Sequence, residues 1–159
     1  MGEQYQQPYQ QPMQPQPSAG AKWGPTSIGS LEAHIAAGLG YFFTPILPLI
    51  FFFMEKTNKF VRFHAMQSIL LGALEVIFFT VLFVVWIVLT GVAAAADNTG
   101  ILASLLGCLG ICVFGLAPLA FLGLWLWGMI GAFTGKVVKL PIIGNLAANW
   151  SGGDPQPMM

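Results

Sequence analysis

The hydrophobic residues of this chain form long blocks, without the alternation of a strand or the heptads of a coiled coil. Three blocks follow one another, at residues 33–54, 65–96 and 98–135, and Glu75 is the only Asp, Glu, Lys or Arg inside them. A transmembrane helix needs about 20 apolar residues to cross a hydrocarbon core of about 30 Å. The pattern therefore predicts an all-α membrane protein with three transmembrane helices, at about 33–54, 66–92 and 108–133.

The third block is long for one span and short for two. Splitting it near Pro118 would leave halves of about 16 residues, below the usual length of a span. We therefore predict a single helix that Pro118 kinks. Residues 101–110 either extend this helix or lie at the outer membrane interface, and the sequence leaves both possibilities open.

The first thirty residues differ in kind from the rest. The segment Tyr5-Gln-Gln-Pro8 is repeated at Tyr9–Pro12, and aliphatic side chains are scarce. Dense proline opposes a helix, and too little apolar surface is present for a core, so residues 1–30 are predicted to be a disordered tail. Residues 31–150 then form the transmembrane domain, and residues 151–159 a flexible C-terminus.

Composition and charge support a membrane protein. Of the 159 residues 56% are apolar and 8% charged, with a net charge of zero, whereas soluble domains carry about 25% charged residues. We expect the lipid bilayer as the main partner, together with other membrane proteins or further copies of this chain. A neutral chain cannot neutralise many phosphates, so no nucleic-acid partner is expected.

The basic residues predict the orientation. Five of the six lie in two segments, at 56–62 and 136–139. Three spans place both segments on one side, which the positive-inside rule makes cytoplasmic, in the plasma membrane of a prokaryote. The N-terminal tail would then lie outside.

One face of the second helix is polar. At 100° per residue His64, Ser68 and Glu75 share an arc of about 40°, and Glu75 would lie near the membrane midplane. There the carboxyl group is either a proton or substrate site, or an interhelical hydrogen-bonding group. The first helix brings its own polar groups to a similar depth. The candidates for a polar seam or interaction site are Tyr41, Thr44, Arg62, His64, Gln67, Ser68 and Glu75.

No catalytic chemistry is visible. The sequence contains no Gly-x-Ser-x-Gly, His-Glu-x-x-His or P-loop motif. His34 and His64 are predicted at opposite membrane surfaces, and Cys108 and Cys112 have no third or fourth ligand nearby. We therefore expect no enzyme activity, no cofactor and no metal site.

Two motifs carry a family resemblance. One is centred on Phe60-Val-Arg-Phe-His-Ala-Met-Gln67, and the other is Gly135-Lys-Val-Val-Lys-Leu-Pro-Ile-Ile-Gly-Asn145. With the three blocks, they resemble a family of small prokaryotic membrane proteins that is grouped with the twenty-kilodalton chloroplast inner-envelope protein-import component. The resemblance implies a multi-pass helical protein with a link to protein translocation.

The same motifs predict amphipathic segments at the membrane surface, at residues 57–65 and 142–150. Together they would form a cytoplasmic platform for a protein partner. The leading hypothesis is therefore a non-enzymatic assembly or translocation component. The alternative is a small oligomeric channel or transporter with its polar seam at Glu75.

Overall fold

The computed structural model describes residues 21–96 and 99–158. Most of the predicted disordered tail falls on residues 1–20, which lie outside the described residues. A short 3-10 turn at Ala21–Trp23 comes first. Five α-helices follow in the described chain: α1 (Ala33–Leu39), α2 (Ile46–Met54), α3 (Lys59–Ala96), α4 (Ile101–Phe133) and α5 (Ile143–Ser151).

Helices α3 and α4 form an antiparallel hairpin. The Trp86 ring packs on Phe114 with centroids 5.7 Å apart, and Phe78 packs on Phe121 at 5.5 Å. Both helices are long and apolar enough to cross a membrane, which supports a helical membrane protein. Because α4 is continuous from Ile101, residues 101–110 extend the helix and do not form a separate interfacial segment.

The first apolar block is not one helix, so three transmembrane helices are not confirmed. Turns separate α1 from α2. Pro45 lacks a backbone N–H, and the residue before a proline avoids the helical conformation, so a continuous helix is disfavoured here. Ser27, before α1, and Thr57, after α2, have their hydroxyl oxygens 3.2 Å apart. The block therefore returns to the end of the molecule where it began.

Helices α1, α2 and α5 surround the first third of α3 and the end of α4. We call this region, residues 21–72 and 124–158, the base, and the remainder, residues 73–96 and 101–123, the apolar hairpin. Most side chains of α3 from Phe60 to Leu71 are buried, whereas most beyond them are exposed on the outside of the protein. The packed core of the protein lies in the base.

The N-terminal part of the described chain is ordered on the base. Trp23 stacks on Phe60 with ring centroids 4.3 Å apart, and its Nε1 donates a hydrogen bond to the carbonyl of Gly135 at 2.9 Å. Trp23 of the segment 21–30, which the sequence predicts to belong to the tail, thus makes defined contacts with the base. These contacts also place this segment at the same end as both basic segments, whereas three spans would put it at the opposite end.

The C-terminal residues are likewise held. The amide of Met158 donates to the carbonyl of Lys22 at 2.8 Å, and Lys139 Nζ lies 2.7 Å from an Asp154 carboxylate oxygen. Two residues of the predicted flexible C-terminus thus make defined contacts with the base. Both described ends of the chain close the same side of the base.

The two predicted interfacial segments fold differently. Residues 59–65 are the first turns of α3, and Phe60 and Phe63 are buried in the base and do not insert among headgroups. They are buried because the broken first block supplies apolar cover on this side. The helix predicted at 142–150 is present as α5, and its Ala147 and Ala148 pack on Phe63.

Candidate functional site

Polar side chains from two parts of the base meet backbone groups of a third part in its interior. His64, Gln67 and Ser68 are buried on one face of α3, because residues three and four apart share a helix face. Opposite them lie the turn between α1 and α2 and the segment 136–140 that follows α4. An unpaired polar group in such an apolar interior costs several kcal/mol, so its partners define what the site can do.

Tyr41 and His64 form a directed chain of hydrogen bonds. His64 Nε2 lies 3.1 Å from the carbonyl of Lys136, and only a protonated nitrogen can donate to a carbonyl. In the neutral ring Nδ1 is then an acceptor, and it receives the Tyr41 hydroxyl at 3.3 Å. The chain fixes one tautomer of His64 and ties the α1–α2 turn to the segment after α4.

Gln67 extends this chain and satisfies all of its own polar atoms but one lone pair. Its amide nitrogen donates to the Tyr41 hydroxyl at 2.9 Å and to the carbonyl of Val138 at 3.0 Å. Its amide oxygen accepts from the backbone N–H of Leu140 at 3.2 Å. One side chain of α3 thereby holds two other parts of the base in register.

Two further contacts fix the turn between α1 and α2. The hydroxyls of Thr44 and Ser68 are 3.2 Å apart, and Thr44 also donates to the carbonyl of Tyr41 at 3.1 Å. Trp125 donates its indole N–H to the same carbonyl at 2.8 Å. Trp125 is therefore partly buried against this turn.

Glu75 lies two turns beyond Ser68, at the border between the base and the apolar hairpin. With Tyr41, Thr44 and Ser68 it lines a cleft of about 340 Å³. The side chain is exposed and accepts no hydrogen bond within residues 21–96 and 99–158. The structure thus brings Glu75 near its expected partners, but the hydroxyls of Tyr41 and Thr44 bond to other groups.

Arg62, the remaining candidate, is separate from this cluster. Its Nη1 donates to the backbone carbonyl of Glu55 at 3.0 Å, and its guanidinium lies 4.6 Å from the centre of the Phe52 ring. A cation stacked on an aromatic face is stabilised by the ring quadrupole. Arg62 fastens the end of α2 to the start of α3.

Glu55 and Asn58, which sequence reasoning missed, organise a second polar cluster. The Glu55 carboxylate accepts from the amides of Ser27, Thr57 and Asn58 at 2.7, 3.0 and 2.9 Å. Asn58 Oδ1 caps α3 by accepting from the amides of Phe60 and Val61 at 3.1 and 3.3 Å. An Asn directly before an apolar helical run is a cap signal that could have identified this residue.

The hydrogen bonds also set the acidity of Glu55. Burial alone would raise the pKa of its carboxyl group. The amides of Asn58, Thr57 and Ser27, with the Ser27 hydroxyl, outweigh burial and hold the pKa below its usual range. The anion is therefore the stable form where it joins the residues before α1 to those after α2.

The interior cluster is suited to holding parts together. Both ring nitrogens of the buried His64 are engaged, as are the Tyr41 hydroxyl and the Gln67 amide. Among the described residues no group of three or more His, Cys, Asp or Glu side chains could hold a metal ion. The cluster positions the broken first block against α3 and the segment 136–140.

Fold and site together define a small helical membrane protein. Its apolar hairpin extends from a base whose parts are joined by buried hydrogen bonds. The chain belongs to the magnetosome magnetite crystal formation protein family, whose pattern matches residues 28–147. The match covers α1 to α4 and residues 143–147 of α5. It includes the interior cluster, and Glu55, Thr57 and Asn58 of the second cluster.

Archaeal relatives agree with this assignment. A UPF0132 membrane protein of Methanocaldococcus jannaschii is 34% identical over 129 residues, which are 80% of this chain and 96% of the relative. One from Archaeoglobus fulgidus is 28% identical over 123 residues, covering 77% of this chain and 99% of the relative. No solved structure matches the chain. These findings support a small prokaryotic membrane-protein family, and they contain no evidence for similarity to the chloroplast import component.

Proposed function

We propose that this protein is a non-enzymatic membrane component that crosses the membrane twice and assembles, through its base, with another membrane-embedded protein. The observation that supports this proposal is the height of its apolar exterior. The hydrogen bonds of the two polar clusters make the base a rigid unit. All donors of these clusters are used in those bonds, so none is free for chemistry.

The apolar exterior is taller than the hydrocarbon core of a bilayer. Its part on α3, residues 73–92, measures about 30 Å at 1.5 Å per residue, and the nine residues of α2 add about 13 Å on the base. The hydrocarbon core measures about 30 Å. Phe53 is exposed at one end of this surface and Val92 at the other. The hydrocarbon core alone therefore does not cover both ends.

The apolar hairpin is the better candidate for the lipid-covered part. Glu75 is followed by twenty residues, 76–95, without a charge, which corresponds to about 30 Å of helix and so to one hydrocarbon core. The outer side of α2 then lies beyond the core, although Phe53 is 72% exposed and Ile46 67% exposed. We propose that protein covers this α2 face, formed by Phe43, Ile46, Leu49, Ile50 and Phe53.

The base is proposed to be cytoplasmic, because both basic segments lie there. The N-terminal segment from residue 21 would then also be cytoplasmic, with the protein in the plasma membrane. Protein translocation, implied by the motif resemblance, and magnetite crystal formation, named by the family, would each be one form of such assembly.

Photocrosslinking in native membranes tests the proposal. A photoreactive residue at Phe53, on the α2 face, should give an adduct with a defined integral membrane protein, and one at Ile50 should give the same adduct. The matched control at Ile87, which is exposed on the apolar hairpin, should give lipid adducts. Lipid adducts alone at Phe53 would overturn the proposal. An adduct with a second copy of this chain would overturn assembly with another protein and would show self-assembly.

A channel or transporter is the second candidate function. It is favoured by one observation, the exposed carboxyl group of Glu75 at the cleft. If the protein is a channel or transporter, the wild-type protein in liposomes should give proton- or ion-dependent flux. Glu75→Gln should fold normally and should abolish this flux. Absence of flux in the wild-type protein would exclude it under those conditions.

A further inference from the structure

Adjoining cavities lie along the border between the base and the apolar hairpin. Two cavities of about 340 Å³ each share Glu75 and Trp125 in their walls. The first lies against the turn between α1 and α2, and the second continues along α4. We call these two adjoining cavities together the groove, and its two ends differ chemically.

The end against the α1–α2 turn suits a cationic headgroup. It contains the carboxyl group of Glu75 and the hydroxyls of Thr44 and Ser68, and no Lys, Arg or His side chain lines it. Aromatic rings complete this wall. A carboxylate together with aromatic faces favours an ammonium group. The aromatic lining residues are Tyr41, Phe42, Phe43 and Trp125.

The other end suits a hydrocarbon chain. It is lined by Pro118, Leu119, Phe121 and Leu122 beside the shared residues. These residues of α4 lie on the hairpin side of Trp125, where the outside of the protein is apolar. A molecule that fills the groove therefore has its polar head towards the base and its chain towards the membrane interior.

We propose that this groove binds a lipid with an amine headgroup, from the leaflet on the side of the base. Glu75 pairs with the ammonium group, and one acyl chain lies along Leu119 and Leu122. The uncharged stretch 76–95 places Glu75 at the edge of the hydrocarbon core, where headgroups of that leaflet are found. The proposal does not require the protein partner proposed above, and it can be tested on purified protein.

Native mass spectrometry of the purified protein measures lipid binding directly. Phosphatidylethanolamine should bind about tenfold more tightly than phosphatidylglycerol with the same acyl chains, as expected for one ammonium–carboxylate and aromatic contact. Glu75→Gln should remove this preference. Because Glu75 is exposed and forms no hydrogen bond with the described residues, the amide variant should fold normally.

Matched variants on α4 separate the groove from the rest of the lipid-facing surface. Leu119→Ala should weaken phosphatidylethanolamine binding, whereas Leu116→Ala should not, since Leu116 is equally exposed but lies outside the groove. Equal binding of the two phospholipids, or a preference that survives in Glu75→Gln, would overturn the proposal. Binding of hexadecylamine without binding of phosphatidylethanolamine would also overturn it, because the ligand would then be a free amphiphilic amine.

Discussion

The amide nitrogen of Gln67 donates a hydrogen bond of 2.9 Å to the hydroxyl of Tyr41. This contact joins the middle of the broken first apolar block to α3. The Tyr41 hydroxyl also bonds to His64, and the Gln67 amide nitrogen also donates to the carbonyl of Val138 in the segment after α4. The two residues therefore link the turn between α1 and α2, the first part of α3 and the segment after α4.

Gln67→Leu should destabilise the base strongly. It leaves the N–H of Leu140 and the carbonyl of Val138 without their buried partner, and each unsatisfied group costs about 1–3 kcal/mol. We expect the free energy of unfolding, measured by denaturation in micelles, to fall by about 2–4 kcal/mol. Thr90→Val is the control, since Thr90 bonds only to carbonyls of its own helix. Equal stability of the two variants would disprove a structural role for Gln67.

Two glycines of α4 should respond in opposite directions to alanine. A Cβ at Gly128 would lie 2.8 Å from the Tyr41 hydroxyl oxygen, whereas a Cβ at Gly123 would meet nothing within 4 Å. Tyr41 cannot move easily because its hydroxyl is bonded on both sides. Gly128→Ala should therefore cost about 1–3 kcal/mol, and Gly123→Ala should gain about 0.5–1 kcal/mol from helix propensity. Thermal unfolding in detergent measures both, and a stabilised Gly128→Ala variant would contradict the packing described.

Glu55 should make stability depend on pH in the acidic range. Its folded-state pKa is lowered, so its contribution is fully present above the ordinary Glu pKa of about 4.3 and is lost as pH falls through the lower folded value. The difference in unfolding free energy between wild type and Glu55→Gln should be largest at neutral pH and should shrink below about pH 4. Wild type and Glu55→Gln share all other carboxyl groups, so the pH dependence that those groups contribute cancels in this difference. A difference independent of pH would mean that the charge of Glu55 contributes nothing.

The sequence was sufficient to predict α3 and α4 because their signal is local. Each is an apolar run longer than a span, and helical geometry alone placed His64 and Ser68 on one face. The predicted first span placed Tyr41 and Thr44 at the depth of Glu75. These residues do meet in the base, as their shared contacts show.

The path of the first block was not predictable from apolar length. A hairpin of two short helices and a single span contain the same number of apolar residues, and only Pro45, with the turn around it, distinguishes them. The depth of Glu75 depended on that choice. Glu55 was missed because its partner Ser27 is distant in sequence and lies in a segment assigned to the tail. Asn58 was missed because its local cap signal was not used, and its bond to the carbonyl of Trp23 spans 35 residues.

The side on which residue 30 lies tests the account most directly. In a protein with Cys108 and Cys112 replaced, single cysteines are placed at Ser30, Thr134 and Thr99 and treated with a membrane-impermeant maleimide. Two crossings predict that intact cells label position 99 and that positions 30 and 134 react only after permeabilisation. Labelling of position 30 from outside, with position 134 protected, would show that the first block crosses the membrane and would contradict the account.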